Sequence, residues 1–256
     1  MLDLTVFTDL DGTLLDHDTY SFAPAKEALA QLRKEGARVV IASSKTAAEV
    51  ASLREALGFE HCPAIVENGA GVLAAGAEPE EASGEYQRLR GILNSIDPDL
   101  RKDFTGFADL GPEGVAEATG LSHEAAFLAL SRQYSEPGLW LSTKERQADF
   151  IATLMDLGIA ARQGGRFLTL SFGATKADRL RELAKGVTLA LGDAPNDVEM
   201  IEAADYGVIV ANPHGSPIPP LEGERSGRIV RTDAPGPAGW NTAVLRRIED
   251  LRYEET

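Results

Sequence analysis

Residues 4–16 of the chain read LTVFTDLDGTLLD, and this stretch carries most of the information about the fold. It begins as an apolar, β-favouring run and reaches Gly12 after two aspartates, Asp9 and Asp11. Side chains at positions i and i+2 of an extended backbone lie on the same side, so both carboxylates can face one point. Two such carboxylates repel, which raises the pKa of one of them unless a cation intervenes. A plain turn at a strand end is the ordinary alternative, because Asp and Gly are common turn residues.

The composition is that of an ordinary globular protein. The chain has 256 residues, 43% hydrophobic and 25% charged, which is enough for one large domain or for a core with an inserted module. Its formal charge is −15, and without a concentrated positive face we expect no binding to nucleic acid. No apolar run approaches the roughly 20 residues that span a bilayer, so we expect no membrane segment.

The cysteine content indicates the compartment. The chain has one cysteine, Cys62, which excludes an internal disulfide and fits a reducing cytosol. The N-terminus shows no basic region followed by an apolar stretch and a small-residue cleavage site, as a secretory signal would. We therefore expect a cytoplasmic protein. We also expect it to work as a monomer or a homodimer.

Strand-like apolar runs alternate with helix-periodic segments over most of the chain. Outside the middle of the chain, strands are predicted at residues 4–8, 38–42, 64–66, 187–191 and 207–210, and helices at 24–34, 46–57, 176–184 and 197–203. This alternation predicts an α/β fold with a Rossmann-like, doubly wound and mostly parallel sheet. In such sheets ligands bind at the carboxyl ends of the strands.

The middle of the chain follows a different pattern. Helices are predicted at residues 122–131 and 144–157, and strands at 139–141 and 160–171. Gly164-Gly165, between flanks of alternating polarity, favours a two-residue hairpin turn. We therefore predict an inserted α+β cap at residues 83–172, within a core formed by residues 1–82 and 173–256.

Two further strand ends carry polar residues suited to phosphoryl chemistry. Ser43 follows the strand RVVIA and precedes Ser44 and Lys45. A hydroxyl beside a helix N-terminus can hold a phosphoryl oxygen. Lys176 begins a predicted helix, where a cation is disfavoured without an anionic partner.

The fourth strand end is LALGDAPNDVEMI, residues 189–201. Asp193 and Asp197 are four positions apart, which places both on one side of a helix that begins near Pro195. Each cluster alone has an ordinary explanation, such as Asp197 or Ser44 capping a helix. Four clusters at the same edge of one predicted sheet favour a shared site instead.

Taken in order, these motifs resemble those of a known family. TDLDGT at residues 8–13, the strand ending at Ser43, then Lys176 and GDAPND at residues 192–197 resemble the four motifs of the haloacid dehalogenase-like hydrolases. The insertion between the second and third motifs resembles the α/β cap of the sugar-phosphatase branch, in which ENGA, residues 67–70 here, also recurs. The resemblance implies a haloacid dehalogenase-like core, a cap that determines substrate specificity, and phosphomonoester hydrolysis.

The resemblance also implies a role for each matched residue. Asp9 would attack the phosphorus, giving an aspartyl-phosphate that water hydrolyses. Asp11 would protonate the leaving group and then activate the water, while Ser43 and Lys176 would hold the non-bridging oxygens. The ligands implied for a Mg²⁺ cofactor are Asp9, the backbone carbonyl of Asp11 and Asp193, with Asp197 in support.

Longer segments resemble the mannosyl-3-phosphoglycerate phosphatases within that branch. They are SSKTAAEV (43–50), AIVENGAG (64–71), HEAAFLALSRQYSEP (123–137), GGRFLTL (164–170) and APGPAGWN (234–241). The chain departs from that family at Ser43, where Thr is frequent, and at Thr175, where Asp is frequent. The resemblance implies a small phosphorylated sugar-glycerate substrate, mannosyl-3-phosphoglycerate, and the formation of mannosylglycerate, a compatible solute.

The residues expected to bind the rest of the substrate lie on both sides of the cleft. An arginine suits the carboxylate of a glycerate, although each cap candidate has an ordinary alternative as a surface charge or hairpin residue. The candidates are Ser44, Lys45 and Asn68 on the core, and Arg132, Ser135, Glu136 and Arg166 on the cap.

Three other functions stay open at this point. One is a capped phosphatase acting on sucrose phosphate or a free hexose phosphate, which activity profiling would distinguish. Another is a phosphomutase, which release of inorganic phosphate would exclude. The third is a sensor that binds a phosphorylated ligand without turnover.

Overall fold

The computed structural model describes residues 2–79 and 84–254. The strands are β1 (Leu4–Thr8), β2 (Arg38–Ala42), β3 (Ala64–Val66), β4 (Gly71–Leu73), β5 (Phe104–Gly106), β6 (Ser135–Trp140), β7 (Ala160–Gly164), β8 (Phe167–Ser171), β9 (Val187–Gly192), β10 (Tyr206–Ala211) and β11 (Ile229–Pro235). The helices are α1 (Lys26–Glu35), α2 (Ala47–Leu57), α3 (Gly84–Ser95), α4 (Pro98–Arg101), α5 (Phe107–Thr119), α6 (His123–Ala129), α7 (Lys144–Asp156), α8 (Lys176–Leu183), α9 (Val198–Ala203) and α10 (Gly236–Glu254).

The larger sheet has seven strands in the order β11-β10-β9-β1-β2-β3-β4. Its neighbouring strands are parallel except for the pair of β3 and β4, which is antiparallel. At the end of β1, Thr8 pairs with Leu191 of β9 on one side and with Ile41 of β2 on the other. The predicted α/β fold with a mostly parallel, doubly wound sheet is confirmed, and the carboxyl ends of β1, β2 and β9 lie side by side.

Helices cover both faces of this sheet, because consecutive residues of its central strands are apolar. In β1, Val6 packs into a buried cluster with residues of α1, α2 and α10. The next residue, Phe7, packs on the opposite face with Leu180 of α8 and Met200 of α9. A run buried on both sides is typical of a parallel strand, and full burial of one such side chain contributes about 1.5–3 kcal/mol.

The cap, defined from here on as residues 84–171, has its own sheet and its own apolar core. Its four antiparallel strands lie in the order β5-β6-β8-β7. Phe104, Phe150 and Leu168 are among the buried residues of its core. The predicted limits of this domain stay a prediction, and the boundary between residues 82 and 83 lies outside the described residues.

The cap differs from the sequence predictions in three details. Strand β6 begins at Ser135 rather than near residue 139. The turn between β7 and β8 consists of Gly165 and Arg166, because Gly164 already pairs with Phe167. Helices α3 and α5 were not predicted, and α5 is kinked where Gly111 adopts a φ of 66°.

Within residues 2–79 and 84–254, no helix is both long enough and apolar enough to cross a membrane.

Candidate active site

Three buried aspartates meet at the carboxyl edge of the larger sheet. Asp9 follows β1, and Asp193 and Asp197 follow the neighbouring strand β9. Each offers a carboxylate oxygen within 4.8 Å of the others. All three are buried, so their charges are poorly screened by water and need a positive partner.

The loop after β1 fixes the position of Asp193. The Thr13 hydroxyl donates to Asp193 Oδ1 at 2.5 Å, and the Asn212 side-chain amide donates to Asp193 Oδ2 at 2.6 Å. Gly12 has a φ of 80°, and a Cβ atom there would lie 2.8 Å from Asp193 Oδ2. The glycine of the TDLDGT motif is therefore required both for its backbone conformation and for the close approach of the two loops.

Lys176 is the positive partner of this cluster. Its buried ammonium donates to Asp9 Oδ1 and to Asp197 Oδ1, each at 2.7 Å. Burial lowers the pKa of Lys176, but Asp197 and Asp9 outweigh it and raise the pKa above its ordinary value. Thr175 caps α8 by accepting from the Asp178 N–H at 3.1 Å. Lys176 thus stays charged and is held at the first turn of the helix.

Asp197 is engaged through both carboxylate oxygens. Oδ1 accepts from Lys176, and Oδ2 accepts from the backbone N–H groups of Asp193 and Ala194 at 3.2 and 3.1 Å. Its geometry therefore suits the positioning of Lys176 and of the loop after β9. Among the three aspartates, Asp9 and Asp193 are the better candidates for direct metal ligands.

The donor set fits a hard divalent cation. Burial raises the pKa of Asp9, and so do the carboxylates of Asp197, Asp193 and Asp11, against the opposing effect of Lys176. Burial also raises the pKa of Asp193. Lys176 and Lys45 are two ammonium groups beside four carboxylates and do not balance them, and Mg²⁺ prefers such oxygen ligands. The cluster could therefore hold the predicted Mg²⁺ ion.

Asp11 lies beside this cluster and is paired with Lys45. Asp11 Oδ2 is 3.0 Å from Lys45 Nζ. Its other oxygen, Oδ1, is buried and has no hydrogen-bonding partner within the described part of the chain. Burial lowers the pKa of Lys45, but Asp11 and Glu49 outweigh it and raise the pKa. Asp11 therefore keeps one carboxylate oxygen available for a proton of the substrate or of water.

The residues after β2 lie at the same carboxyl edge of the larger sheet, which is called the rim from here on. Ser43 is 1% exposed, and its hydroxyl oxygen accepts from the Lys45 N–H at 3.2 Å. Thr46, rather than Ser44, caps helix α2 by accepting from the Glu49 N–H at 3.2 Å. The hydroxyl of the exposed Ser44 is therefore not needed for capping.

A cavity of about 350 Å³ lies between this rim and the cap. Its volume is within the usual range for small-molecule sites. The predicted site residues that line it are Ser44, Lys45, Asn68, Arg132, Ser135 and Lys176. Asp9, Asp11, Ser43, Asp193 and Asp197 are not among its lining residues, and the cavity is connected to the aspartate cluster through Lys176, which donates to Asp9.

Arg132 lines the cavity but is already engaged in the contact between cap and core. It is 7% exposed. Its Nη1 donates to the Ser44 carbonyl and its Nε donates to the Ala129 carbonyl, both at 3.0 Å. A role for Arg132 in substrate binding stays a prediction, and its observed contacts join the two halves of the molecule.

The structure corrects the expected role of Glu136. This side chain is fully buried inside the cap, where it accepts from the Tyr86 hydroxyl at 2.6 Å and from Arg90 Nη1 at 3.0 Å. The reason is the two-residue period of β6, since Ser135 and Pro137 face the cavity and the residue between them faces the opposite side. Glu136 therefore does not contact a ligand in this cavity.

Arg166 is not among the lining residues of the cavity, and its role in substrate binding stays a prediction. This residue is exposed in the hairpin turn and donates through Nη1 to the Ala118 carbonyl at 2.6 Å. The arginine of this hairpin that lines the cavity is Arg162, on β7. Because Arg162 is three residues before the turn, the GGRF pattern alone gave no means of preferring it.

Sequence reasoning missed Glu67, which lines the same cavity. Its carboxylate is buried and accepts from the backbone N–H of Ser135 at 2.7 Å. The only available signal was its place at the start of the ENGA segment, directly after strand β3. That signal located the residue near the rim but did not indicate its partner in the cap.

The sequence profile of the haloacid dehalogenase-like hydrolases matches residues 6–88 and 145–216, more than half of the chain.

Solved structures of low sequence identity share the fold. The subclass IIB sugar phosphatase BT4131 is 18% identical, with 94% of this chain and 98% of that chain covered and a TM-score of 0.62. The phosphatase BT1666 from Bacteroides thetaiotaomicron is 18% identical, with 96% and 95% covered and a TM-score of 0.63. The sucrose-phosphatase from Synechocystis, solved with sucrose and phosphate, is 15% identical, with 96% and 98% covered and a TM-score of 0.59.

Proposed function

The chain belongs to the haloacid dehalogenase-like hydrolases, and we propose that it hydrolyses phosphomonoesters in the cavity between core and cap. The observation that carries this proposal is the contact of Lys176 Nζ with Asp9 Oδ1 at 2.7 Å, since Lys176 also lines that cavity. A carboxylate nucleophile beside a fixed ammonium is suited to an electrophilic phosphorus with anionic oxygens.

In the proposed first step, an oxygen of Asp9 forms a bond to phosphorus as the bond from phosphorus to the leaving oxygen breaks. Lys176 and the Ser43 hydroxyl stabilise the charge on the non-bridging oxygens. A Mg²⁺ ion held by Asp9 and Asp193 would supply further charge neutralisation at the phosphoryl group. Lys176 also holds Asp9 by a hydrogen bond and so limits its rotation.

Asp11 carries the proton transfers in this proposal. Its unpaired Oδ1 would deliver a proton to the leaving oxygen and later accept a proton from the attacking water. That water then attacks the aspartyl-phosphate, which regenerates the carboxylate of Asp9 and releases inorganic phosphate. The pairing of Asp11 Oδ2 with Lys45 at 3.0 Å keeps Oδ1 in a defined position.

For the substrate we propose mannosyl-3-phosphoglycerate, hydrolysed to mannosylglycerate. The sequence segments that resemble that family support this choice, and they lie in both core and cap. The cavity also combines cationic side chains suited to a glycerate carboxylate, Lys45 and Arg162, with polar side chains suited to sugar hydroxyls, Asn68 and Gln163. We further propose that the protein acts on this small molecule in the cytoplasm, as a monomer or a homodimer.

A phosphate-release assay tests both parts of this proposal. The panel contains mannosyl-3-phosphoglycerate, sucrose phosphate, a free hexose phosphate and 3-phosphoglycerate, each assayed with Mg²⁺ and with EDTA. We expect Mg²⁺-dependent release with the highest kcat/KM on mannosyl-3-phosphoglycerate. A higher kcat/KM on sucrose phosphate, which the Synechocystis relative's name suggests, would replace the proposed substrate. No release from any of the four would contradict the hydrolase proposal.

A further inference from the structure

The turn that follows β3 has an unfavourable backbone. Three consecutive residues have a positive φ: Glu67 at 51°, Asn68 at 58° and Gly69 at 97°. Glycine adopts this left-handed region freely and asparagine tolerates it, whereas a glutamate with a positive φ is uncommon. A backbone conformation that suits glycine is thus adopted by a glutamate, Glu67, at the first position of the turn. This indicates that the Glu67 side chain has a structural or functional role.

The core holds the turn in place from two sides. The N–H groups of Glu67 and Asn68 donate to the carbonyls of Lys45 and Ser43, both at 2.9 Å. On the other side, a Cβ atom on Gly69 would lie 2.1 Å from the backbone of Thr175. The turn is therefore fixed between the residues after β2 and the residue that precedes Lys176.

The Glu67 side chain leaves the core and binds the cap. Its carboxylate accepts from three consecutive backbone N–H groups, those of Gln133 at 2.8 Å, Tyr134 at 3.2 Å and Ser135 at 2.7 Å. It also accepts from the Ser135 hydroxyl at 2.7 Å. Glu67 is 2% exposed, and successive N–H groups that converge on one anion form a strong, directional contact.

Other contacts join the same cap segment to the core. Arg132 Nη1 donates to the Ser44 carbonyl at 3.0 Å. The Tyr134 ring occupies the space that a Cβ atom on Gly71 would take, 2.1 Å from that position. The segment 132–135 is thus one place where the cap contacts the core, and its members Arg132 and Ser135 line the cavity.

We propose that Glu67 is a positioning residue whose carboxylate holds cap segment 132–135 on the core and so completes the substrate-binding side of the cavity. The inference rests on the phosphatase function proposed above. Glu67 acts through the cap and not on phosphorus, because both of its carboxylate oxygens are occupied by cap donors. Losing the carboxylate should therefore weaken binding of the part of the substrate that the cap contacts.

The test compares Glu67→Gln with Glu60→Gln, a matched change at an exposed site. Three N–H groups and the Ser135 hydroxyl donate to the Glu67 carboxylate. In the variant, the glutamine NH₂ group faces at least one of these four donors and cannot accept from it. We expect the KM for mannosyl-3-phosphoglycerate to rise about tenfold or more, with kcat within about twofold of wild type. For p-nitrophenyl phosphate, which has no sugar or glycerate for the cap to bind, both constants should be unchanged.

Two further measurements keep the test decisive. Ser135→Ala, which removes one of the four donors, should raise the same KM by a smaller factor. Hydrogen exchange at the amides of residues 133–135 should be faster in Glu67→Gln than in wild type and unaffected in Glu60→Gln.

The outcomes separate this inference from the proposed function. Equal losses of kcat on both substrates, or unchanged KM and unchanged exchange in Glu67→Gln, would overturn the positioning role. If wild type hydrolysed no sugar phosphate, the proposed function would fail, while the exchange measurement would still decide whether Glu67 holds the cap.

Discussion

Asp9 is bound by one cation and surrounded by three anions. Burial and the carboxylates of Asp197, Asp193 and Asp11 all raise its pKa, and Lys176 opposes them. A nucleophilic carboxylate must be ionised, so the site needs more positive charge than Lys176 supplies. The demand for a cation thus follows from the charges of the residues themselves.

We predict that Mg²⁺ stabilises the folded protein through this cluster. A ligand that binds only the folded state adds about 2.7 kcal/mol to the free energy of unfolding at 100 times its Kd. Asp193→Asn should remove most of this increase, because it removes a carboxylate that faces Asp9. Thermal unfolding with MgCl₂ and with EDTA measures the effect, and Asp149→Asn, on the exposed surface of α7, is the control. An undiminished Mg²⁺ effect in Asp193→Asn would contradict the assignment.

Asp9 and Asp11 should respond differently to the same chemical change. Asp9→Asn removes the nucleophile, so both turnover and the labelled phosphoenzyme should disappear. Asp11→Asn removes only proton transfer, and the rate should fall by a factor of about 10² to 10⁴. Rapid-quench trapping of radiolabelled phosphate on the protein distinguishes the two. A phosphoenzyme that persists in highly purified Asp9→Asn would refute its role as the nucleophile.

At the scale of elements, the cap is held together by an ionic network in which Glu136 is buried and Asp109 is exposed. Arg90 binds both Glu136 Oε1, at 3.0 Å, and Asp109 Oδ1, at 2.6 Å. Arg101 binds Asp109 Oδ2 at 2.7 Å. These contacts join α3 and α5 to strand β6, on the face of β6 opposite the cavity. The alternation of β6 therefore divides its side chains between stabilising the cap and lining the site.

We predict that Asp109 makes the stability of the cap depend on pH in the acid range. Burial raises the pKa of Asp109, but hydrogen bonds from Arg90 and Arg101 outweigh it and lower the pKa to about 2. The unfolded chain titrates near its ordinary value of about 3.9. The contribution of the Asp109 carboxylate to the free energy of unfolding is therefore complete above about pH 4 and is lost as the pH falls through about 2.

The measurement compares the unfolding free energies of wild type and Asp109→Asn in urea at several pH values. At pH 7 the variant should be less stable by about 1 kcal/mol, because solvent screens the exposed Asp109 carboxylate, and the difference should shrink as the pH falls from about 4 to about 2. Asp156→Asn, at the exposed end of α7, should show no such pH-dependent difference. A difference that stayed constant down to pH 2 would refute this linkage.

The strand-end motifs of the core could be located from the sequence because two regularities act together. Parallel pairing brings the carboxyl ends of neighbouring strands to one edge, and Asp9, Ser43 and Asp193 each follow a strand with a clear apolar pattern. The cap residues could not be assigned in the same way. The predicted start of β6 was too late, and the face of Glu136 depends on where that strand begins. The partner of Glu67 depends on a contact between distant segments, which no local pattern contains.

At the scale of the whole molecule, the larger sheet is built from both ends of the chain. Strands β1 to β4 precede the cap, and β9 to β11 follow it. Helix α10 then packs with residues of β1 and α1 in a single buried cluster. The site after β1 and β9 therefore exists only when the two chain segments are joined, and α10 contributes to that junction.

Replacing Trp240 of α10 should test most directly whether this helix stabilises the junction of the two chain segments. Its side chain is fully buried, and its indole N–H donates to the Thr8 hydroxyl oxygen at 2.9 Å. That hydroxyl in turn donates to the carbonyl of Asp9 at 2.8 Å. Trp240→Phe should lower the free energy of unfolding by about 1 kcal/mol, the usual cost of one lost hydrogen bond. Trp240→Ala should cost about 3–5 kcal/mol, because it also leaves a cavity.

Trp140→Phe, in the cap, is the matched control for the loss of an indole N–H. Trp140 donates to the Thr143 carbonyl at 3.0 Å in an exposed position, where water can replace the lost donor. Its effect on unfolding should therefore be smaller than that of Trp240→Phe, as measured by urea denaturation. Equal costs for the two substitutions would mean that the bond between Trp240 and Thr8 adds nothing to the junction. In that case packing alone would hold α10 against the strand that carries Asp9.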